Sequence, residues 1–430
     1  MVSERLLQYI WESASFDVRD LRTIQGQALQ VIQRGSWNRN QGPDFLLATI
    51  RIDGTILVGN IEMHLKSSDW FRHAHERDAQ YKNVILHVVW EHDDKAPDIP
   101  VLEMKERVAS ILLGHYEKLM RQPETIACAR MLHKVNPEVW REWKEKLLHR
   151  RMMSKANLVC MMLQQNNSDW EEVNWWMLAR AFGLPVNRDA FENVSRSIPL
   201  KVLIRESFHP LRGEALLMGQ AGMLEGNFCD EYPRALQKEF RFLEKKYRLK
   251  RPALQMKLLR MRPAAFPGIR LSQLAALVPL RQRLLPRFCA AETLEQLKKI
   301  LECSASLYWE THYRFDEASG ACAKKMGAQL FESLVLNAVA PMVFAYGVVH
   351  RKKELLERVG KWLWALQPET NNRITAWNKL GVGASNAADT QALLELTNEY
   401  CAPRKCLECG IAQSLLLMEE DTWGEEEPPP

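Results

Sequence analysis

The sequence predicts an α+β protein in which a small mixed β-sheet domain is followed by a large, mostly α-helical region. Three observations carry this. Over the first hundred residues apolar and polar positions alternate in short runs, the period of strands with two different faces. From about Val101 onward the apolar spacing becomes that of amphipathic helices, with Pro and Gly at their ends. The 430 residues, 47% hydrophobic and 26% charged, have the composition of a globular chain long enough for roughly two or three domains.

In chain order, a helix is expected over Glu4–Trp11. Strands follow at ALQVI, LLATIRI and TILVGNIEMHL, separated by the turn signals Gln41-Gly42-Pro43 and Asp53-Gly54. Asp69–Tyr81 has helical composition and NVILHVVW reads as a further strand, so the order is α-β-β-β-α-β within residues 1–105. Residues 106–420 read as helices such as PEVWREWKEKLLHRRMMSKANLVCMMLQQ and DWEEVNWWMLARAFGL, with no fixed-period repeat, and residues 421–430 as a solvated, disordered tail.

Bulk properties narrow the function classes. A formal charge of +5 is too mild to imply nucleic-acid binding by itself, so that argument rests on local charge. Nine cysteines, an odd count, together with an N-terminus lacking an apolar signal core, point to a reducing, cytoplasmic compartment. The most apolar run, from Met326, is interrupted by Glu332, Asn337 and Pro341 and suits a buried helix better than a membrane span. No membrane partner is expected, and the oligomeric state is not legible.

The chemistry concentrates in GNIEMHLK. Alternation puts Glu62, His64 and Lys66 on one face of a strand and Ile61, Met63 and Leu65 on the other. A hairpin to the preceding strand brings Asp44, which follows Pro43, near Glu62. Two such carboxylates suit a hard cation such as Mg²⁺, whose bound water is a nucleophile for phosphodiesters, with His64 or Lys66 assisting. His64, His73, His75, His87 and His92 also place five of eleven histidines in one short region, so a different His/carboxylate metal hydrolase is a second reading. Within it, His87 reads as a core histidine. In a helix the His73-x-His75 spacing would point the rings apart, leaving His73, His75 and Asp78 at most on the rim of a site.

Pro43-Asp44 followed by Glu62-x-His64 or Lys66, in an α-β-β-β-α-β order, resembles the restriction-endonuclease-like PD-(D/E)XK nuclease superfamily over about the first hundred residues. That resemblance implies metal binding by Asp44 and Glu62. It places His64 where a lysine is usual, with Lys66 as a substitute on the same face, and makes Glu12 a candidate for the first-helix acid some members use. NRNQGPDF, NIEMHLKSSDWFRHAHERDAQYKNVILHVVW and YCAPRKCLECGIAQSLL also resemble an uncharacterised bacterial family of unknown function along the whole chain.

Two further features bear on partners. Cys401, Cys406 and Cys409 form C-x4-C-x2-C, three thiols of a structural zinc or iron–sulfur site whose fourth ligand is sought at Cys303, Cys322 or a histidine. Tyr232–Pro263 holds eleven Lys/Arg against two Glu, including Lys245, Lys246, Arg248, Lys250 and Arg251, interleaved with aromatics as nucleic-acid binding requires. Arg141, Lys144, Lys146, Arg150, Arg151 and Lys155 form a second basic cluster. The sequence therefore supports a metal-dependent nuclease, or a non-catalytic nucleic-acid-binding or scaffold protein with a nuclease-like fold. Trp140, Trp143, Trp170, Trp175 and Trp176 read as helix packing, and Gly219-Gln-Ala-Gly222 lacks the lysine of a phosphate loop.

Overall fold

The Asp53-Gly54 turn organises the N-terminal sheet. Both residues take positive φ (44° and 88°), as a tight two-residue hairpin requires, and they join β3 (Phe45–Ile52) to β4 (Thr55–Lys66) antiparallel. The computed structural model describes residues 2–38, 40–93, 95–253, 256–257, 265–278 and 283–418. The GEEEPPP tail and part of the basic segment before Pro263 lie outside them.

Helix α1 (Glu4–Ser13) opens the chain, capped by the Ser3 hydroxyl accepting from the Leu6 amide at 3.2 Å, and buries Leu6, Leu7, Ile10 and Trp11. β1 (Leu29–Gln33) and β2 (Ser36–Trp37) both pair antiparallel with β3. β5 (Val84–Glu91) and β6 (Val101–Glu103) follow β4 in parallel, giving the order β1-β3-β4-β5-β6. The sequence order thus stands with two short strands added, β2 and β6. The expected helix between β4 and β5 is one turn, α2 (Asp69–Arg72), followed by two 3₁₀ turns. Ala74 at φ 59° is what ends it, because a left-handed residue cannot continue a helix.

The chain divides into two units, and the boundary departs from the expected one at residue 105. The first comprises the described parts of Met1–Trp143, Lys379–Val382 and Leu396–Pro430; the second comprises those of Lys144–Asn378 and Gly383–Glu395. Helical residues such as α3 (Ser110–Arg121) therefore belong with the sheet: His115 is buried and its Nδ1 lies 3.4 Å from the Leu416 carbonyl.

The second unit is built on apolar helices. Trp170–Phe182, with Trp175 and Trp176 buried, packs against Arg188–Arg196 and against the continuous helical run Ala328–Val349. That run is long and apolar enough by composition to cross a membrane, and 67% of its most apolar window is buried inside this structure. A π-turn at Val335–Val339 interrupts it, and the buried ammonium of Lys155 donates to the Leu336 carbonyl there at 2.8 Å. A two-stranded hairpin, His312–Arg314 with Glu317–Ala318, departs from the helical pattern.

Candidate functional site

The hairpin register decides the site. Phe45 pairs with Ile61, so the residue before β3 stands opposite Glu62, and the Asp44 amide donates to Glu62 Oε2 at 3.1 Å. Asp44 is itself held from two sides: Gln8 Nε2 of α1 donates to Oδ1 at 2.8 Å and the Met63 amide to Oδ2 at 3.0 Å. The predicted pairing of Asp44 with Glu62 is present.

The polar face of β4 is not open to solvent. Glu62 is 6% and His64 1% exposed, while Ile61 and Met63 are buried on the other face, so both faces of this central strand are covered. The cover comes from the β4–β5 connection, where Trp70 is buried and Tyr81 stacks on His75 at 3.8 Å between ring centroids.

The imidazoles do not point apart. The left-handed turn at Ala74 lies between His73 and His75 and swings both rings onto His64. His73 Nδ1 is 3.0 Å and His75 Nε2 3.3 Å from His64 Nε2, and the three ligand atoms lie within 4.8 Å of one another. Glu62 Oε1 sits 3.3 Å from His75 Nε2 and 3.6 Å from His64 Nε2. His87 is fully buried as expected, yet it belongs to the cluster: its Nε2 lies 2.8 Å from His64 Nδ1, and its own Nδ1 has no hydrogen-bond partner among the described residues. Asp78 is exposed and caps the Gln80 amide at 2.9 Å, and His92 bonds Ser67 at 2.8 Å.

Two expected members fall elsewhere. Lys66 is exposed at the far end of β4 and bears electrostatically on Glu91 and Asp93, because four residues of extended strand carry it roughly 13 Å past Glu62. On α1 the acid that bears on Asp44 and Glu62 is Glu4, not Glu12, which is exposed beside Tyr9. Glu4 and Gln8 are one helical turn apart on one face of α1, a spacing legible in the sequence once Asp44 is known to lie beside it.

The electrostatics follow from burial. It raises Glu62 well above the carboxylate range, and the Asp44 charge raises it further; Asp44 is raised chiefly by burial too. Burial pushes His64 down to about 2 and His87 to about 3, with neighbouring imidazoles adding to the shift at both. The rings therefore stay neutral and offer lone pairs. Two carboxylates share a pocket with neutral nitrogens, while nearby Arg5 bonds Glu408 at 2.6 Å instead.

This donor set does not fit Mg²⁺ well. A hard cation wants an all-oxygen octahedron, whereas both Asp44 oxygens already accept protein hydrogen bonds and Glu62 Oε1 faces imidazole nitrogens.

The cysteines gather in the first unit. Cys401, Cys406 and Cys409 bear electrostatically on one another, and the fourth thiol in their reach is Cys128, rather than Cys303 or Cys322 of the second unit. Arg404 ties the two segments together, donating to the Gln122 and Glu124 carbonyls at 2.7 Å each. The Trp143 ring packs so closely on Gly410 that a Cβ there would approach it to 2.8 Å. All four cysteines are free of disulfides, and burial raises all four thiols, Cys128 to about 12 and Cys409 to about 11.

Of the basic segments, one is largely engaged. Arg141 pairs with Glu138, Lys144 with Asp389 and both Arg150 and Arg151 with Glu395, so the helix Pro137–Gln165 spends its cations on structure. Around the helix Glu231–Tyr247 the picture differs. Lys246 pairs with Glu206 and Arg251 with Glu225 and Glu244, but among the described residues Lys245, Arg248 and Lys250 are exposed with no ion pair.

A family model described as a protein of unknown function, DUF2851, matches residues 4–372. The chain belongs to the DUF2851 family. The matched stretch holds Asp44, Glu62 and the four clustered histidines, along with Cys128, and ends before Cys401. No curated protein and no solved structure matches the chain.

Proposed function

We propose that this DUF2851 protein is a divalent-metal-dependent phosphodiesterase acting on nucleic acid, its sheet unit arranged like the restriction-endonuclease-like nucleases. The observation that carries the reading is the register that sets Asp44 against Glu62 in a buried pocket shared with neutral imidazoles. Two carboxyls raised by burial and by the Glu4 charge, Glu62 also by Asp44, set up a charge demand that a bound cation meets. Such a cation supplies a water of lowered pKa and charge stabilisation for the phosphate.

The chain's own groups have separable roles. Gln8 and the Met63 amide fix Asp44. Glu62 is held protonated near neutral pH by burial and the Asp44 charge, and a cation beside it would free its carboxylate to act as the base, the place a lysine takes in the nucleases this region resembles. Lys245, Arg248 and Lys250 on the second unit offer phosphate contacts. The four thiols lie near enough to bear on one another but are not gathered within 4.8 Å, so a structural zinc or iron–sulfur centre there would draw them together and tie residues 401–409 to the Cys128 segment.

The test is cleavage of single- and double-stranded DNA and RNA with a panel of divalent metals, comparing wild type with Asp44→Ala and Glu62→Ala. Metal-dependent cleavage lost in both variants supports the reading. Equal cleavage in all three proteins overturns it, and nucleic-acid binding with no cleavage favours the non-catalytic alternative.

A further inference from the structure

We infer that His64, His73 and His75 together hold one divalent transition-metal ion of the zinc class, with Glu62 beside it and His87 orienting His64. The inference deepens the hydrolase reading by naming the metal class, and it rests on that reading only for the use to which the ion is put.

Geometry comes first. A metal–nitrogen bond of about 2.0–2.1 Å sets neighbouring ligand atoms roughly 3.0–3.4 Å apart at ordinary coordination angles. His64 Nε2 lies 3.0 Å from His73 Nδ1 and 3.3 Å from His75 Nε2, and Glu62 Oε1 follows at 3.3 Å from His75. Hydrogen bonds satisfy such atoms a pair at a time, because each neutral ring carries one proton. A single cation satisfies the converging lone pairs at once. Among the described residues this is the one group of three or more histidine, cysteine or carboxylate ligand atoms gathered within 4.8 Å.

The tautomers agree. For His64 Nε2 to present a lone pair, its proton must sit on Nδ1, where His87 Nε2 accepts it across 2.8 Å. This is the arrangement in which a ligating imidazole donates its other N–H to a fixed partner. It leaves the His87 proton on Nδ1, the buried atom that lacks a partner. That orphaned group is a cost the site bears to aim His64.

Ligand chemistry chooses the metal. Three imidazole nitrogens suit zinc, copper, iron or nickel, whereas Mg²⁺ prefers oxygens and keeps its waters. Three protein ligands leave a coordination position open, as in catalytic rather than structural zinc sites, and Glu62 Oε1 stands next to two of the ligating nitrogens to take a proton there. His73 is exposed and His75 half-buried on the surface connection after β4, which gives an ion access from solvent.

The experiment titrates the chelator-treated full-length protein with Co²⁺ and follows its visible spectrum. Cobalt reports its ligands: imidazole and carboxylate donors give d–d bands, while the four-cysteine group would add thiolate charge-transfer bands. One equivalent of imidazole-type cobalt is expected in the wild type and in His92→Ala. It should be lost in His73→Asn/His75→Asn, which leaves the β-sheet and its core untouched, and weakened about 10–100-fold in His87→Ala. Circular dichroism confirms that each variant folds. Wild type without the imidazole-type signal, or an undiminished signal in the folded double variant, overturns the inference. Its failure is separable from that of the nuclease reading: cobalt bound at the histidines with no cleavage under any metal defeats only the latter, and metal-dependent cleavage by a wild type that shows no imidazole-type cobalt signal defeats only the former.

Discussion

The two units bury charge in opposite ways. In the helical unit the buried carboxylate of Glu206 meets Arg212 and Lys246, each at 2.8 Å, and accepts from the Tyr247 hydroxyl. Buried Glu214 likewise accepts from Ser272 at 2.9 Å and from Tyr232. In the sheet unit Glu62 and Asp44 meet each other, backbone amides, an amide side chain and neutral imidazoles. The first arrangement is self-satisfied and therefore structural. The second is short of positive charge: burial drives both carboxyls toward their neutral forms, and the cation proposed above is what would hold them ionised.

Breaking each arrangement should give different readouts. The largest effect is at Glu62: Glu62→Gln is expected to lower metal-dependent cleavage by about 10²–10⁴-fold with the fold intact, since the amide keeps the side chain's shape and an acceptor for the Asp44 amide while removing the base, as steady-state rates and circular dichroism would show. Next, the proposed four-thiol centre predicts that Cys128→Ser removes its metal and lowers the melting temperature, while Cys322→Ser, exposed in the helical unit, changes neither; metal analysis and a thermal melt check this.

Glu206→Gln should cost about 1.5–3 kcal/mol in urea unfolding without touching cleavage, the value of losing hydrogen bonds to a charged group. The same residue sets a pH dependence. Burial by itself would raise it, but Lys246, Tyr247 and Arg212 together bring it down to about 2. Between its ordinary pKa near 4.5 and that value the unfolded chain binds the proton more readily than the folded one. Its stabilisation is thus complete above the ordinary value and is lost as pH falls through about 2, so stability-versus-pH curves of wild type and Glu206→Gln should converge in acid. The smallest effect is at the exposed cations. Lys245→Ala should weaken binding evenly across sequences and reduce the salt slope by about one, measured by fluorescence anisotropy against ionic strength.

What the sequence revealed follows the same division. Strand alternation and the Asp53-Gly54 turn were enough to find the hairpin and the Asp44–Glu62 pair, because period-two patterning and turn chemistry are local. The convergence of His73 and His75 was hidden, since it depends on a left-handed alanine that no local preference announces. Lys66 was misplaced for a related reason: sharing a face is not proximity when four extended residues intervene. Cys128 was missed because its partners lie some 270 residues away, and spacing rules see only neighbours. The family model, itself without an assigned function, adds membership and no chemistry.

The most direct measurement is anomalous diffraction at the zinc edge from crystals soaked in Zn²⁺. The account predicts a peak bonded to His64 Nε2, His73 Nδ1 and His75 Nε2, beside Glu62. Zinc found only elsewhere, with those three rings joined by hydrogen bonds alone, would contradict it.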